Sequence, residues 1–201
     1  MTDDFSFVAP RMRDEDLIAA RHRGTTQVYR IEIGAPAERI WQAITDPEWT
    51  VRYGYGGRVR IEPRVGGRYR VEKPSGLMVV SGSDADVTVS APEIILDGVV
   101  TAYSPPTSLA VILRFLVTEE TASEPATEVR YDIVRLDDTR SLLTVTHELE
   151  GAPRLAAVVS GELGHRGAGG GHPLMLRELK ALLEGSRTPR ESNEQGDGDD
   201  F

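Results

Sequence analysis

Residues 170–185 constrain this chain more than any other stretch, because they read as one long amphipathic helix arriving after a succession of strands. Pro173 suits a first-turn position, where its missing N–H is no loss. Met175, Leu176, Leu179, Leu182 and Leu183 recur at helical spacing and make one apolar stripe. Arg177, Glu178, Lys180 and Glu184 fall mostly on the other side. Gly185 supplies the left-handed residue on which helices commonly end. An apolar face of this kind needs a partner layer, and almost everything before it is strand, so the partner is a sheet.

The strands can be read from their period. Residues 26–33 alternate apolar and polar, as a half-buried strand does, and Gly34-Ala35-Pro36 breaks the pattern. Pro36 then opens a helix over 37–45, with Ile40, Trp41 and Ile44 on one face. Asp46-Pro47-Glu48 stops it and starts a second short helix carrying Trp49. Strands are expected at 57–62 and 68–72 around a Gly66-Gly67 turn, and one or two more within 77–89. Others follow at 94–103 and 109–118, the latter so apolar that it belongs in the middle of the sheet. Residues 119–126 read as a polar loop, and 128–136 and 142–149 as a hairpin turning at Asp137-Asp138-Thr139-Arg140. A short helix is expected within 153–162, and a flexible glycine-rich stretch at 164–171. Short turns join the strands, so the sheet is mainly antiparallel and the fold is α+β. A curved antiparallel sheet gripping one long helix leaves a cavity between them.

The folded domain spans residues 25–185 in this reading. Residues 1–24 are a polar N-terminal arm, within which Asp14–Arg21 has the charge order of a short helix, and 186–201 are a disordered acidic tail. The net charge of -9 and pI near 5.0 argue against nucleic acid and anionic lipid as partners. No apolar run approaches the ~18 residues of a membrane span. With no cysteine, disulfides and thiolate chemistry are excluded, and a cytoplasmic setting is expected. His22, His147, His165 and His172 do not stand at metal-ligand spacing, so no metal is expected, and no cofactor motif is present. No Ser, His and acid set has an elbow motif.

Several short segments, in this order and spacing, resemble the START-like or SRPBCC superfamily, the helix-grip fold of the birch-pollen allergen. They are Ala35-Pro36-Ala37-Glu38-Arg39-Ile40-Trp41 running on to Asp46-Pro47-Glu48, then Glu62-Pro63-Arg64-Val65-Gly66-Gly67-Arg68-Tyr69 and Gly98-Val99-Val100. Ser104-Pro105-Pro106, Leu143-Thr144-Val145-Thr146-His147 and Gly169-Gly170-Gly171 complete the set. Within that superfamily the chain is similar to the branch named for the activator of the heat-shock chaperone ATPase. The resemblance implies a curved antiparallel sheet wrapped around the C-terminal helix, two short helices after the first strand, and a hydrophobic cavity. It leaves function open, because such folds include lipid carriers, hormone receptors, polyketide cyclases and chaperone activators. Two departures stand out: His172-Pro173 where many relatives place a tryptophan, and an insertion around residues 74–92.

Strand parity then selects candidate residues. Leu143, Val145, His147 and Leu149 share the more apolar face of their strand, which points His147 inward. Leu109, Val111, Leu113 and Phe115 face inward by the same rule, as do Val129, Tyr131 and Ile133, whereas Arg114 faces out. Trp49, Tyr53 and Tyr55 lie in a segment that suits a gate over a cavity, or a packed loop. The ligand-binding set is therefore Trp49, Tyr53, Leu113, Phe115, Tyr131, His147, His172 and Met175. Tyr69 and Tyr103 are further pocket hydroxyls of uncertain register. The expected partner is a small hydrophobic or aromatic molecule, bound by a monomer or homodimer. The alternative is a polyketide cyclase or dehydratase in which His147 moves a proton and Tyr131 holds a carbonyl oxygen. A third reading is an interaction role like that of the chaperone activators. Against both, a buried histidine also serves simply as a hydrogen-bonded core group.

Overall fold

A computed structural model of the chain describes residues 19–80, 88–164 and 169–185. The acidic tail, the arm before residue 19, and 165–168 of the glycine-rich stretch, which includes His165, lie outside the described residues. The first strands are β1 (Ala19–Arg23) and β2 (Thr26–Ile33), followed by helices α1 (Ala37–Thr45) and α2 (Pro47–Thr50). Next come β3 (Arg58–Ile61), β4 (Arg68–Glu72), β5 (Met78–Val80), β6 (Thr88–Ser90), β7 (Ile94–Ser104) and β8 (Ser108–Phe115). Helix α3 (Glu119–Ser123) precedes β9 (Thr127–Arg135) and β10 (Ser141–Glu148), and α4 (Pro153–Ser160) and α5 (Gly171–Leu183) close the chain. Eight strands form one antiparallel sheet in the order β1-β2-β10-β9-β8-β7-β4-β3. The 74–92 insertion contributes a separate hairpin of β5 and β6.

Two expectations change. The stretch before Thr25 is not all arm: Ala19–Arg23 pairs with β2 and adds an edge strand, so residues 19–21 are not helical. Gly24 at φ 58 makes the tight two-residue connection that allows this pairing. The loop at 119–126 contains α3, because Thr118 and Thr121 form a reciprocal cap and two glutamates fill the first turn. The C-cap residue of α3, Glu124, in turn accepts the backbone N–H groups of Arg154 and Leu155 at 2.8 and 2.9 Å. These amides begin α4, whose own N-cap residue, Ala152, has no capping side chain.

The inner face of the sheet carries the main core, with Ile31, Ile33, Ile40, Ala43, Val111, Leu143, Val145, Leu176 and Leu179 all buried. A second cluster of Leu149, Ala152, Leu155 and Val159 lies under α4. Helix α5 approaches β2, α1 and α4. Its first turn is fixed by the Tyr55 hydroxyl, which accepts the Gly171 N–H at 2.8 Å. Its other end is fixed to β2, where Lys180 donates to the Glu32 carbonyl at 2.8 Å and Glu184 accepts the Gly34 N–H at 2.7 Å. The sheet bends at Gly98, opposite Tyr69 on one side and Leu113 on the other. A Cβ there would meet the Ile112 carbonyl oxygen at 2.2 Å. Gly98→Ala is therefore expected to cost at least ~2 kcal/mol of stability, measured by urea unfolding, because the obstacle is backbone and cannot swing away.

Candidate functional site

Strand register lays the inner face out as rows. One row runs Gln27–His147–Val129–Val111–Val100 across β2, β10, β9, β8 and β7. On one side of it lies the row Tyr29–Val145–Tyr131–Leu109–Tyr103. On the other lies Thr127–Leu113–Gly98–Tyr69–Ile61. The polar groups among these residues therefore sit within three adjacent rows of an otherwise apolar surface.

Four of the polar side chains form two closed sets, one of which reaches up to α5. His147 is 2 % exposed, and its Nε2 shares a hydrogen bond with the Thr127 hydroxyl at 2.9 Å. Its Nδ1 meets His172 Nε2, on the first turn of α5, at 3.0 Å. Each neutral imidazole carries one N–H, so the bonds run in one direction along the chain: Thr127 donates to His147 and His147 to His172, or the reverse. Two imidazolium rings would place two N–H groups face to face across the same 3.0 Å. Burial, with the His172 ring beside it, lowers the His147 pKa to about 2, and burial lowers that of His172 to about 4. The positive end of α5 acts on His172 in the same sense. In the second set the Tyr29 hydroxyl donates to Gln27 Oε1 at 2.7 Å, and Gln27 Nε2 donates to the Ala156 carbonyl of α4 at 2.9 Å. The Tyr29 and His172 ring centroids are 5.4 Å apart, so the two sets are neighbours.

A tyrosine group stands apart from them. Tyr53, Tyr69 and Tyr131 come from the segment after α2, from β4 and from β9. Desolvation by burial raises all three pKa values, that of Tyr131 to about 12, and the Tyr131 phenol further raises those of Tyr53 and Tyr69. Tyr53 donates its hydroxyl to the Ala43 carbonyl at 3.2 Å. The Tyr69 and Tyr131 hydroxyls have no hydrogen-bond partner among the described residues.

Most inward assignments hold, but the expected site does not assemble as one set. Tyr53 is buried, and Gly54 beside it presses on Met175, whose Cγ would lie 2.9 Å from a Cβ at that glycine. With Tyr55 bonded to Gly171, the gate segment is a packed strap across the start of α5. Trp49 turns away from the interior tyrosines: the guanidinium carbons of Arg39 and Arg52 lie 4.0 and 4.6 Å from its ring centroid. Phe115 packs with the cluster under α4, because β8 runs past the main core before it ends. Leu113 lies next to Thr127, Tyr103 packs edge-on against Trp41 at 5.3 Å, and Arg114 faces out, donating to the Ala122 carbonyl. Gln27, Tyr29 and Thr127 escaped the sequence reading. Parity carried two residues back from Ile31 and Val129 finds Tyr29 and Thr127, and two further back finds Gln27.

Another depression, on the outer face, is lined by Glu62, Gly66, Arg68, Asp97, Gly98 and Val99. Its charges already pair with one another and with a neighbour, since Asp97 takes both Arg68 and Arg70.

Residues 34–184 match the family described as Activator of Hsp90 ATPase homolog 1-like protein. The chain belongs to this family. The matched region of the activator-like domain begins after β2, so Gln27 and Tyr29 precede it. Solved structures show the same helix-grip fold. An Hsp90 activator from Plasmodium falciparum is 17% identical, with a TM-score of 0.53 over 80% of this chain and 97% of that one. CalU16 from Micromonospora echinospora is 18% identical, with a TM-score of 0.51 over 82% and 78%. A protein from Arthrobacter aurescens is 15% identical, with a TM-score of 0.56 over 90% and 99%. A comparison with curated protein sequences finds no match. No helix among the described residues is long and apolar enough to cross a membrane.

The histidine pair makes the activator-like domain acid-sensitive. Both rings are neutral when folded, with pKa values of about 2 and 4, whereas the unfolded chain protonates them near pH 6.5. The unfolded state thus binds more protons below that pH, and stability falls as pH falls from 6.5 toward the folded values. Between pH 7 and pH 5 each histidine is expected to cost roughly 2 kcal/mol. Urea unfolding of His172→Gln should show about 2 kcal/mol less loss over that interval than the parent.

Proposed function

We propose that the protein binds a small apolar or aromatic molecule between the sheet and α5. The observation that carries this reading is Tyr131. Val129 and Ile133, on either side of it along the inner face of β9, are each 3 % exposed, while Tyr131 itself is half-buried. Its phenol is nevertheless desolvated enough to raise its pKa to about 12. A side chain accessible yet surrounded by protein borders enclosed space, and sites for small apolar ligands are of that kind. Met175, Leu182 and Leu183 on α5 are half-buried too. Among the interior groups described above, none is charged at neutral pH, which favours a neutral ligand.

A cyclase or dehydratase reading has less support. A general base needs a free nitrogen with a pKa near the working pH. Both His147 nitrogens are engaged, and its pKa lies about four units below the ordinary value. An interaction role with a chaperone rests on the family description and on a fold shared with an Hsp90 activator.

Two measurements test the binding reading. Native mass spectrometry of protein purified without denaturation should show a discrete added mass. Thermal melting with 2-ethylnaphthalene or a comparable aromatic at a hundredfold excess over its Kd should raise Tm by about 5–10 °C, as mass action requires. A clean apo mass together with unchanged melting across apolar and aromatic compounds would sink the proposal.

A further inference from the structure

We infer that Tyr69 and Tyr131 form the polar pole of this site, and that its ligand presents there a hydrogen-bond acceptor of the carbonyl type on an apolar or aromatic body. The inference rests on the binding reading above and adds which residues select the ligand, and by what chemistry.

A buried phenol normally finds a hydrogen-bond partner, because its O–H is costly to leave unpaired away from water. Tyr69 is 5 % exposed, and its hydroxyl has no partner among the described residues; neither has that of Tyr131. The other polar groups of the inner rows are satisfied within the protein. His147 bonds Thr127 and His172, Tyr29 bonds Gln27, and Tyr53 bonds Ala43. The hydroxyls of Thr101 and Ser141 are also buried without partners, but each is a single group on a short side chain held close to its own strand. The two phenols differ in that they converge.

Their convergence follows from the sheet. β4 and β9 are separated by β7 and β8, so two residues on them would stand far apart on a flat sheet. The bend at Gly98 and the irregularities between Val100 and Ala102 and between Val71 and Glu72 curl the β4 side inward. The two phenols end near enough to interact electrostatically.

The chemistry then selects the ligand. Burial raises both phenol pKa values, so both remain protonated and offer an O–H at neutral pH. A carbonyl oxygen has two lone pairs and can accept both donors, whereas a ligand N–H or O–H donor would leave the phenol hydrogens unpaired. This is the donor geometry that holds a carbonyl or a developing enolate, supplied here by side chains from two distant strands.

The test compares 2-acetylnaphthalene with 2-ethylnaphthalene, which differ in a carbonyl against a methylene. In the parent protein both bind. In Tyr69→Phe/Tyr131→Phe the ketone-to-hydrocarbon affinity ratio should fall about tenfold, while the hydrocarbon affinity stays unchanged. The carbonyl stretch of the bound ketone should lie at its hydrogen-bonded, lower frequency in the parent and move to its hydrocarbon-solvent value in the double variant. Neither Tyr→Phe change should lower the melting temperature, since each removes an unpartnered hydroxyl. An unchanged ratio overturns the inference while leaving the binding reading intact. Binding of neither compound overturns both. Should the double variant fail to fold, the carbonyl stretch in the parent decides alone, and the hydrocarbon-solvent value there overturns the inference.

Discussion

A helix laid across a curved sheet stays in one orientation only if both its ends are tied, and the ties on α5 govern the rest of this structure. At its start, Gly171 has φ 61 and lies so close to the Val159 carbonyl that a Cβ would fall 2.2 Å away. Its N–H is held by Tyr55, and His172 follows at once. At its end, Lys180 and Glu184 pair at 3.2 Å and together grip the end of β2. Each polar tie contributes about 1 kcal/mol, less than the burial of Leu176 and Leu179 between them. The apolar stripe therefore drives docking, and the ties decide the angle at which it docks.

Charge and neutral polarity are sorted by face. The outer face and rim carry exposed or half-exposed pairs such as Arg68–Asp97, Arg135–Glu38 and Arg140–Glu32. Pairs of this kind contribute little to stability, about 0–1 kcal/mol each. The inner face holds uncharged groups bonded to one another. An imidazole enclosed in that way is held by the energy needed to charge it, which makes it a good structural joint between β10 and α5 and a poor base. The same low-dielectric surroundings that weaken His147 as a base strengthen any hydrogen bond from the phenols.

Much of this was legible before any coordinates. The alternation in residues 26–33, the proline that opens α1 and the glycine that ends α5 are local signals, and the elements begin and end where those signals lie. Parity along β10 placed His147 inward because side-chain direction in a strand has period 2 and tolerates no drift. The edge strand β1 was missed for a related reason: five residues carry too little pattern, and only pairing with β2 makes them a strand. Trp49 was misassigned because an aromatic ring near a cavity and one stacked under arginines look the same in one dimension.

The sequence by itself determined the elements, their order, the antiparallel sheet and which strand faces turn inward, since these depend on short-range sterics and on hydrophobic period. Only the tertiary structure decided which inward polar groups satisfy each other. His147 and His172 are 25 residues apart, and nothing local relates them. Thr127 and His147 meet because two strands register diagonally, and Tyr69 and Tyr131 converge because the sheet bends at a glycine between them. Pairing of this kind depends on curvature and register summed over the whole sheet, quantities that no single stretch of the chain contains.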